Sequence, residues 1–239
     1  TSNLDPLSDL DITWFRGEVS DERVMKAAVA GQQYVFHVAA AFREAKSTEQ
    51  DYWNVHVRST QIIVEEALRN PAFQRYVHVS TVGVHGHVAN PPATEEYPYA
   101  PGDAYQRTKM EAEKWLNGFA AERKLPYAII RPAGIYGPGD RRFLKLFKMA
   151  TKPFFILLGQ GKCMYHLVHV DDLTNAFIAA ATNPRAQGET FICGADEPIA
   201  IAEIARIVAG HFGRTLRVIR LPIGPVYLLA DICESVCRP

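Results

Sequence analysis

The chain has 239 residues, 48% hydrophobic and 22% charged, and 26 Lys and Arg balance 26 Asp and Glu. This composition excludes a disordered or collagen-like chain. A zero formal charge supplies no global field for a polyanion, so nucleic acid or an acidic membrane surface would need a local basic patch.

The first predicted element is a short strand at Asp11–Phe15. Ser20 and Asp21 then offer an N-cap for a helix that stops near Gly31. A near-continuous apolar run, Tyr34–Ala39, has strand length, and a long amphipathic helix is expected from about Glu49 to Arg69, ending before Pro71. The unit then repeats with a strand at Arg75–Thr81, a loop around Asn90-Pro91-Pro92, a helix from Asp103 to about Arg123 and a strand at Pro126–Arg131. Beyond Asp140 the pattern loosens. A helix at Arg141–Thr151, a strand at Phe154–Leu158, a glycine turn at Gly159–Gly161 and a strand at Tyr165–Val170 lead to Asp171 and Asp172, read as caps of a helix ending near Thr182. Strands at Glu189–Cys193 and Thr215–Ile219 flank a last helix at Ile201–His211.

Strands buried on both faces and separated by helices give an α/β chain with a doubly wound parallel sheet, because parallel strands need crossovers that cover both faces. Binding then belongs at the carboxyl ends of the strands: His37–Ala40, Ser80-Thr81 and Arg131-Pro132. Residues 1–140 and 164–183 are assigned to the sheet domain. Residues 141–163 and 184–239 form a small mixed α/β region for substrate.

Several features point away from other classes. Cys163, Cys193, Cys233 and Cys237 are too sparse for a disulfide framework, which points to a reducing compartment, the cytosol. Cys233 and Cys237 lie one helical turn apart and read as small apolar residues on one face rather than a zinc or redox pair. His85 and His87, and His166 and His169, lack the further ligands a metal needs, so no metal site is expected. The stretch Leu221–Leu229 is interrupted by Pro222 and Pro225 and is far too short for a membrane span; no signal peptide is visible. Arg141, Arg142, Lys145 and Lys148 read as a solvated helix face, which leaves no nucleic-acid partner.

Tyr105 and Lys109 stand one turn apart on a helix and share a face. A phenol has a pKa near 10, and a neighbouring ammonium lowers it by favouring the phenolate, which brings the phenol into range as a general acid or base. Ser80 and Thr81 end an apolar strand, where a hydroxyl can polarise a substrate oxygen; turn chemistry at a strand end accounts for the same pair. Gly134–Gly139 sits between strand and helix like a phosphate loop. However, Pro138 has no N–H to donate and Asp140 would repel a phosphate, so it reads as a substrate-side turn.

In order, these motifs are Ser80-Thr81, Tyr105-x-x-x-Lys109, Arg131–Pro138 and Val168–Asp172. Together they resemble an extended short-chain dehydrogenase/reductase of the NAD-dependent epimerase/dehydratase family, similar to 3β-hydroxysteroid dehydrogenases. The resemblance implies a Rossmann-like fold and an oxidoreductase using NAD or NADP. Its catalytic residues would be Tyr105 as acid/base, Lys109 holding the cofactor ribose and Thr81. It implies cofactor contacts from Glu18, Val38, Ala39, Ala40, Asn54, Ser80, Tyr105, Lys109, Pro132 and Ala133. Substrate contacts would come from His85, which stands where the family often has Tyr, and from Gly134 and Tyr165. It also implies a homodimer through the helices at about 49–69 and 103–123. The glycine-rich phosphate loop that opens the family has no counterpart before Asp11, so the chain reads as an internal fragment.

Departures from the family pattern bear on substrate. Val82 and Gly83 replace the acidic residues of dehydratases, which argues against elimination. Gly134 stands where sugar-nucleotide enzymes often carry Asn, and Tyr165-His166 replaces an Arg-Asp pair that meets a diphosphate. A small, lipophilic, steroid-like alcohol or ketone is therefore the expected substrate. A sugar-nucleotide epimerase and a catalytically silent cofactor-sensing or scaffold protein are the alternatives.

Overall fold

In a computed structural model of the chain, residues 7–41, 48–161, 164–222 and 224 are described. The expectations for Cys163, Cys233, Cys237 and most of the stretch after Pro222 lie outside them. Two compact units are formed, residues 1–131 with 177–192, and residues 132–176 with 193–239.

The first unit opens with α1 (Glu22–Val29), whose N-cap Asp21 accepts from the backbone N–H groups of Arg23 and Val24. Next come β1 (Tyr34–His37), α2 (Glu49–Trp53), a π-helical turn (Asn54–Arg58) and α3 (Ser59–Ala67). These are followed by β2 (Arg75–Val79), α4 (Ala104–Arg123) and β3 (Tyr127–Pro132). Strands β1, β2 and β3 run parallel, His37 beside His78 and His78 beside Ile129, and β8 (Thr190–Cys193) closes the four-stranded order β1-β2-β3-β8. The parallel sheet follows expectation. All five residues of β2 are buried, as a central parallel strand requires. An apolar core of Ile63, Val64, Tyr76, Leu116 and Ile129 joins α3 and α4 to that sheet.

The second unit contains β4 (Gly134–Tyr136), α5 (Leu144–Ala150), β5 (Phe154–Leu158), β6 (Met164–Tyr165), β7 (Leu167–His169) and the start of α6 (Val170–Thr182). It continues with β9 (Ile199–Ala200), α7 (Ile201–His211) and β10 (Arg217–Leu221). Its strands pair two by two: β4 with β7, β5 with β10 in parallel, and β6 with β9 antiparallel. Phe155, Leu157, Ala150, Ala202 and Ala205 form its core.

Four local expectations change. Asp11–Phe15 forms no strand; among the described residues nothing pairs with it, and Ile12, Trp14 and Phe15 are exposed. The helix expected over 49–69 carries the π turn in its middle. The strand at 165–170 is broken at His166. Asp171 and Asp172 lie inside the first turn of α6 rather than capping it, where their charge meets the positive end of the helix. The units divide at 131/132, 176/177 and 192/193; after the first of these, Gly134–Tyr136 pairs with Leu167–His169.

Candidate active site

The site is built where β2 ends. Lys109, on the inner face of α4, is 1% exposed, and its Nζ donates to the carbonyl of Val79 at 2.8 Å. That bond ties the Tyr105–Lys109 turn of α4 to the strand that runs straight into Ser80 and Thr81. Burial pulls the Lys109 ammonium down to about 8, and the charge of Glu113 one turn away partly opposes this.

Thr81 caps the short 3-10 turn Val82–His85, its Oγ1 accepting from the Gly83 N–H at 3.1 Å. The turn lies against the first turn of α4. A Cβ on Gly83 would stand 3.2 Å from Gln106 and 3.3 Å from Thr81 Oγ1, a tight approach for any side chain. Gly86 is held more strictly, because its φ is +61° and a Cβ there would collide with the Ala100 carbonyl. Ser80 is buried, and among the described residues its Oγ has no hydrogen-bond partner.

A polar network lies on the same sheet face. Tyr76 and His78 alternate along β2 toward Ser80 just past its end, and His37 sits beside His78 on β1. His37 Nδ1 is 2.9 Å from the Tyr76 hydroxyl and its Nε2 is 3.1 Å from Ser59 Oγ. Burial, with a smaller contribution from the Lys109 charge, lowers His37 to about 3 and His56 to about 2. The same causes hold His78 well below its ordinary value. All three imidazoles are neutral, which removes the cost of burying three cations beside an ammonium.

A second buried cluster closes the other end of α4's inner face. Arg131, on β3, grips Glu113 through Nε and Nη2, the latter at 2.6 Å, with side chains 4% and 0% exposed. The same guanidinium donates to Tyr99 Oη at 2.9 Å and to the Glu95 carbonyl at 2.8 Å. Its Nη1 also meets His85 Nε2 at 3.2 Å, which makes that nitrogen an acceptor and leaves Nδ1–H for the Pro98 carbonyl. His85 is therefore buried with both nitrogens engaged, flanked by the rings of Tyr97 and Tyr99, and serves the loop over residues 95–99 rather than an open surface.

The other expected positions divide between the units. In the first, Val38 (52% exposed) and Ala40 are open and Ala39 half-buried beyond β1, forming an apolar ledge at the carboxyl end of the sheet. Asn54 begins the π turn and accepts from Gln50 Nε2 at 2.9 Å. Glu18 is exposed ahead of α1.

In the second unit, Pro132 and Ala133 are buried, and the Ala133 N–H bonds the Cys193 carbonyl at 2.8 Å. Gly134 bonds the His166 carbonyl at 2.9 Å, and a Cβ there would lie 3.0 Å from Leu167 Cδ2, so a larger residue would crowd β7. Tyr165 is half-buried with its ring edge-on to Phe143. The end of the turn that follows Gly134, Gly137–Arg142, is closed locally: Asp140 accepts from the backbone and side chain of Arg142 at 2.9 Å. Among the described residues no cluster of His, Cys, Asp or Glu could hold a metal, and no helix is long and apolar enough to cross a membrane.

Sequence reasoning passed over His56, Tyr99, Glu113 and the partnership of Arg131. A signal existed. Lys109 and Glu113 are charged residues spaced i, i+4 within a stripe that continues through Leu116 and Ala120, both buried. Charges in a core stripe require buried partners.

Among the described residues of the first unit, the groups that would fit the NAD implied by the family are an exposed apolar ledge for a ring face, a buried hydroxyl with no hydrogen-bond partner and an ammonium held at the strand end.

Comparison with known proteins gives the family. Residues 1–194 match the model of the NAD dependent epimerase/dehydratase family. The chain is 28% identical over 254 residues to short-chain dehydrogenase/reductase family 42E member 1 of Danio rerio, covering 97% of this chain and 65% of that protein. It is 30% identical over 225 residues to a 3-beta-hydroxysteroid dehydrogenase of Mycolicibacterium neoaurum, covering 88% and 61%. It thus spans less than two thirds of either relative. A crystal structure of a short-chain dehydrogenase/reductase superfamily protein from Agrobacterium tumefaciens with bound NAD superposes with a TM-score of 0.77 at 20% identity, over 90% of this chain and 76% of that one, and shares its fold. With its parallel sheet, its tyrosine–lysine turn and a family match over most of its length, the chain belongs to the NAD-dependent epimerase/dehydratase family.

Proposed function

We propose that this chain carries the proton-transfer site of an NAD(P)-dependent oxidoreductase acting on a carbonyl or alcohol of a small lipophilic, steroid-like substrate. The observation that carries the reading is the Lys109 Nζ–Val79 bond, which fixes the tyrosine–lysine turn of α4 to the strand end bearing Thr81. When bound, the nicotinamide supplies or accepts the hydride. In the reduction direction Tyr105 gives its phenolic proton to the substrate oxygen as the carbonyl carbon is reduced. Lys109, an ammonium below about pH 8, favours that proton loss. Thr81, whose oxygen is already committed to the Gly83 N–H, directs its own O–H toward the substrate oxygen. The apolar ledge at Val38–Ala40 accepts a ring face.

The substrate class rests on the second unit. At Gly134, where sugar-nucleotide enzymes commonly carry asparagine, a Cβ would crowd Leu167 and the His166 carbonyl, and the His166 ring is engaged with the Ala195 carbonyl rather than standing as a guanidinium fork for a diphosphate. The two helices expected at a dimer interface already pair within the chain through Arg107 and Glu49 at 2.7 Å; their use between subunits is part of the same proposal.

Tyr105→Phe should cut turnover by about 10³-fold or more while leaving NAD affinity within about twofold, measured by NADH formation and calorimetry on the natural full-length protein. Turnover at the parent rate would overturn the assignment. Retained cofactor with no net NADH, and activity on UDP-sugars instead of steroid-like alcohols, would favour an epimerase. No turnover with either class would favour the silent role.

A further inference from the structure

His56 has no role in the mechanism above, yet it is fully buried at the centre of the site's scaffold, inside the π turn at Asn54–Arg58. Its Nε2 lies 3.2 Å from the backbone nitrogen of Ala41, the residue that follows the Val38–Ala40 ledge. A backbone N–H can only donate, so Nε2 is the acceptor and the ring's single proton is on Nδ1. Nδ1 is 2.8 Å from Thr108 Oγ1, and Thr108 in turn donates to the Ala104 carbonyl at 2.9 Å in the first turn of α4. The face of the arrangement is completed by Tyr105, whose ring meets the imidazole at right angles with centroids 5.4 Å apart. One side chain thereby holds the strand-end ledge with one nitrogen and the tyrosine's helical turn with the other.

The π turn makes this possible. An α-helix through 54–58 would place successive side chains 100° apart, whereas a π turn widens the local repeat and re-aims the residues it carries; such turns recur at functional sites. The ring stays neutral because it is buried, so it serves as a fixed donor–acceptor pair over the working pH range.

We infer that His56 is a positioning residue that couples the cofactor-facing segment after β1 to the acid/base Tyr105. The inference rests on the proposed function. It is tested by three substitutions in the natural full-length protein that separate the two bonds and the ring. His56→Asn can still donate to Thr108 but does not reach Ala41. His56→Gln can reach Ala41 but offers no donor at the Nδ1 position. His56→Phe keeps a ring against Tyr105 and makes neither bond.

NAD binding by calorimetry should weaken about fivefold in the Asn and Phe variants and stay within about twofold in the Gln variant. The rate constant kcat should fall about tenfold in the Gln variant and less in the Asn variant. Thermal melting of each variant gives the structural contribution. Equal loss of NAD affinity in the Asn and Gln variants, or changes in all three that merely follow melting temperature, would overturn the inference. Parent-like turnover in Tyr105→Phe would overturn the acid/base assignment and leave the NAD-binding contrast to judge the Ala41 contact. Absence of NAD binding in the parent protein would overturn both.

Discussion

The strand end of β2 in the first unit and the Gly134–Asp140 turn in the second both lie where a strand gives way to a loop, but they are held in different ways. Around β2, polar groups are buried and partnered over long sequence distances: Lys109 with Val79, His37 with Tyr76, Arg131 with Glu113. From Gly137 onward the turn is closed within a few residues, the Asp140 N–H donating to the Gly137 carbonyl and its side chain accepting from Arg142. A site that depends on distant partners is sensitive to tertiary change and has its titratable groups displaced by burial. A self-closed turn is neither.

The largest effect expected from this contrast is at the buried ion pair. Arg131→Met should cost about 3–5 kcal/mol in urea unfolding, because it leaves the Glu113 carboxylate buried and uncompensated, and pairing it with Glu113→Leu should recover most of that loss. If the double variant is no more stable than the single one, Glu113 does not need its partner.

The histidines come next. His37, His56 and His78 have folded values far below 6.5, so the unfolded chain takes up protons first as pH falls, and stability is lost progressively below about pH 6.5. Among the described residues of the second unit, His166 and His211 are exposed and His169 is half-buried. Hydrogen exchange at pH 5 should therefore show β1 and β2 losing protection before β5 and β10. Simultaneous loss in both sheets would remove the distinction.

Lys109 gives two trends of opposite sign. Its folded value, about 8, is below the ordinary 10.5, so between those values the unfolded chain holds the extra proton and stability rises with pH. Over the same range the ammonium is lost and kcat/KM should fall by about tenfold per pH unit. Lys109→Met should abolish the stability rise.

The smallest effect is at the turn. Asp140→Ala removes a local cap of Arg142 and should cost about 1 kcal/mol, with kcat unchanged. A tenfold loss of activity would show that the turn is coupled to the chemistry.

The alternation of apolar runs with helical repeats was enough to specify a parallel sheet, because strands buried on both faces have a distinctive composition. Tyr105 and Lys109 could be placed on one face because helical spacing is local. Their linkage to Val79 could not, since it crosses 30 residues of chain. Asp11–Phe15 looked like a strand because alternation says nothing about whether a neighbour exists to take its hydrogen bonds. The π turn is not legible in the sequence because a single widened turn leaves the apolar spacing of the long helix almost unchanged.

Sequence by itself therefore determined the fold class, the helix carrying the tyrosine and lysine, and the glycine turn that follows Phe154–Leu158. The tertiary structure alone decided that three histidines are neutral, that Arg131 and Glu113 are a buried pair and that His56 spans two segments. Each of these follows from desolvation and from hydrogen bonds between residues far apart in the chain, and neither is written in local spacing.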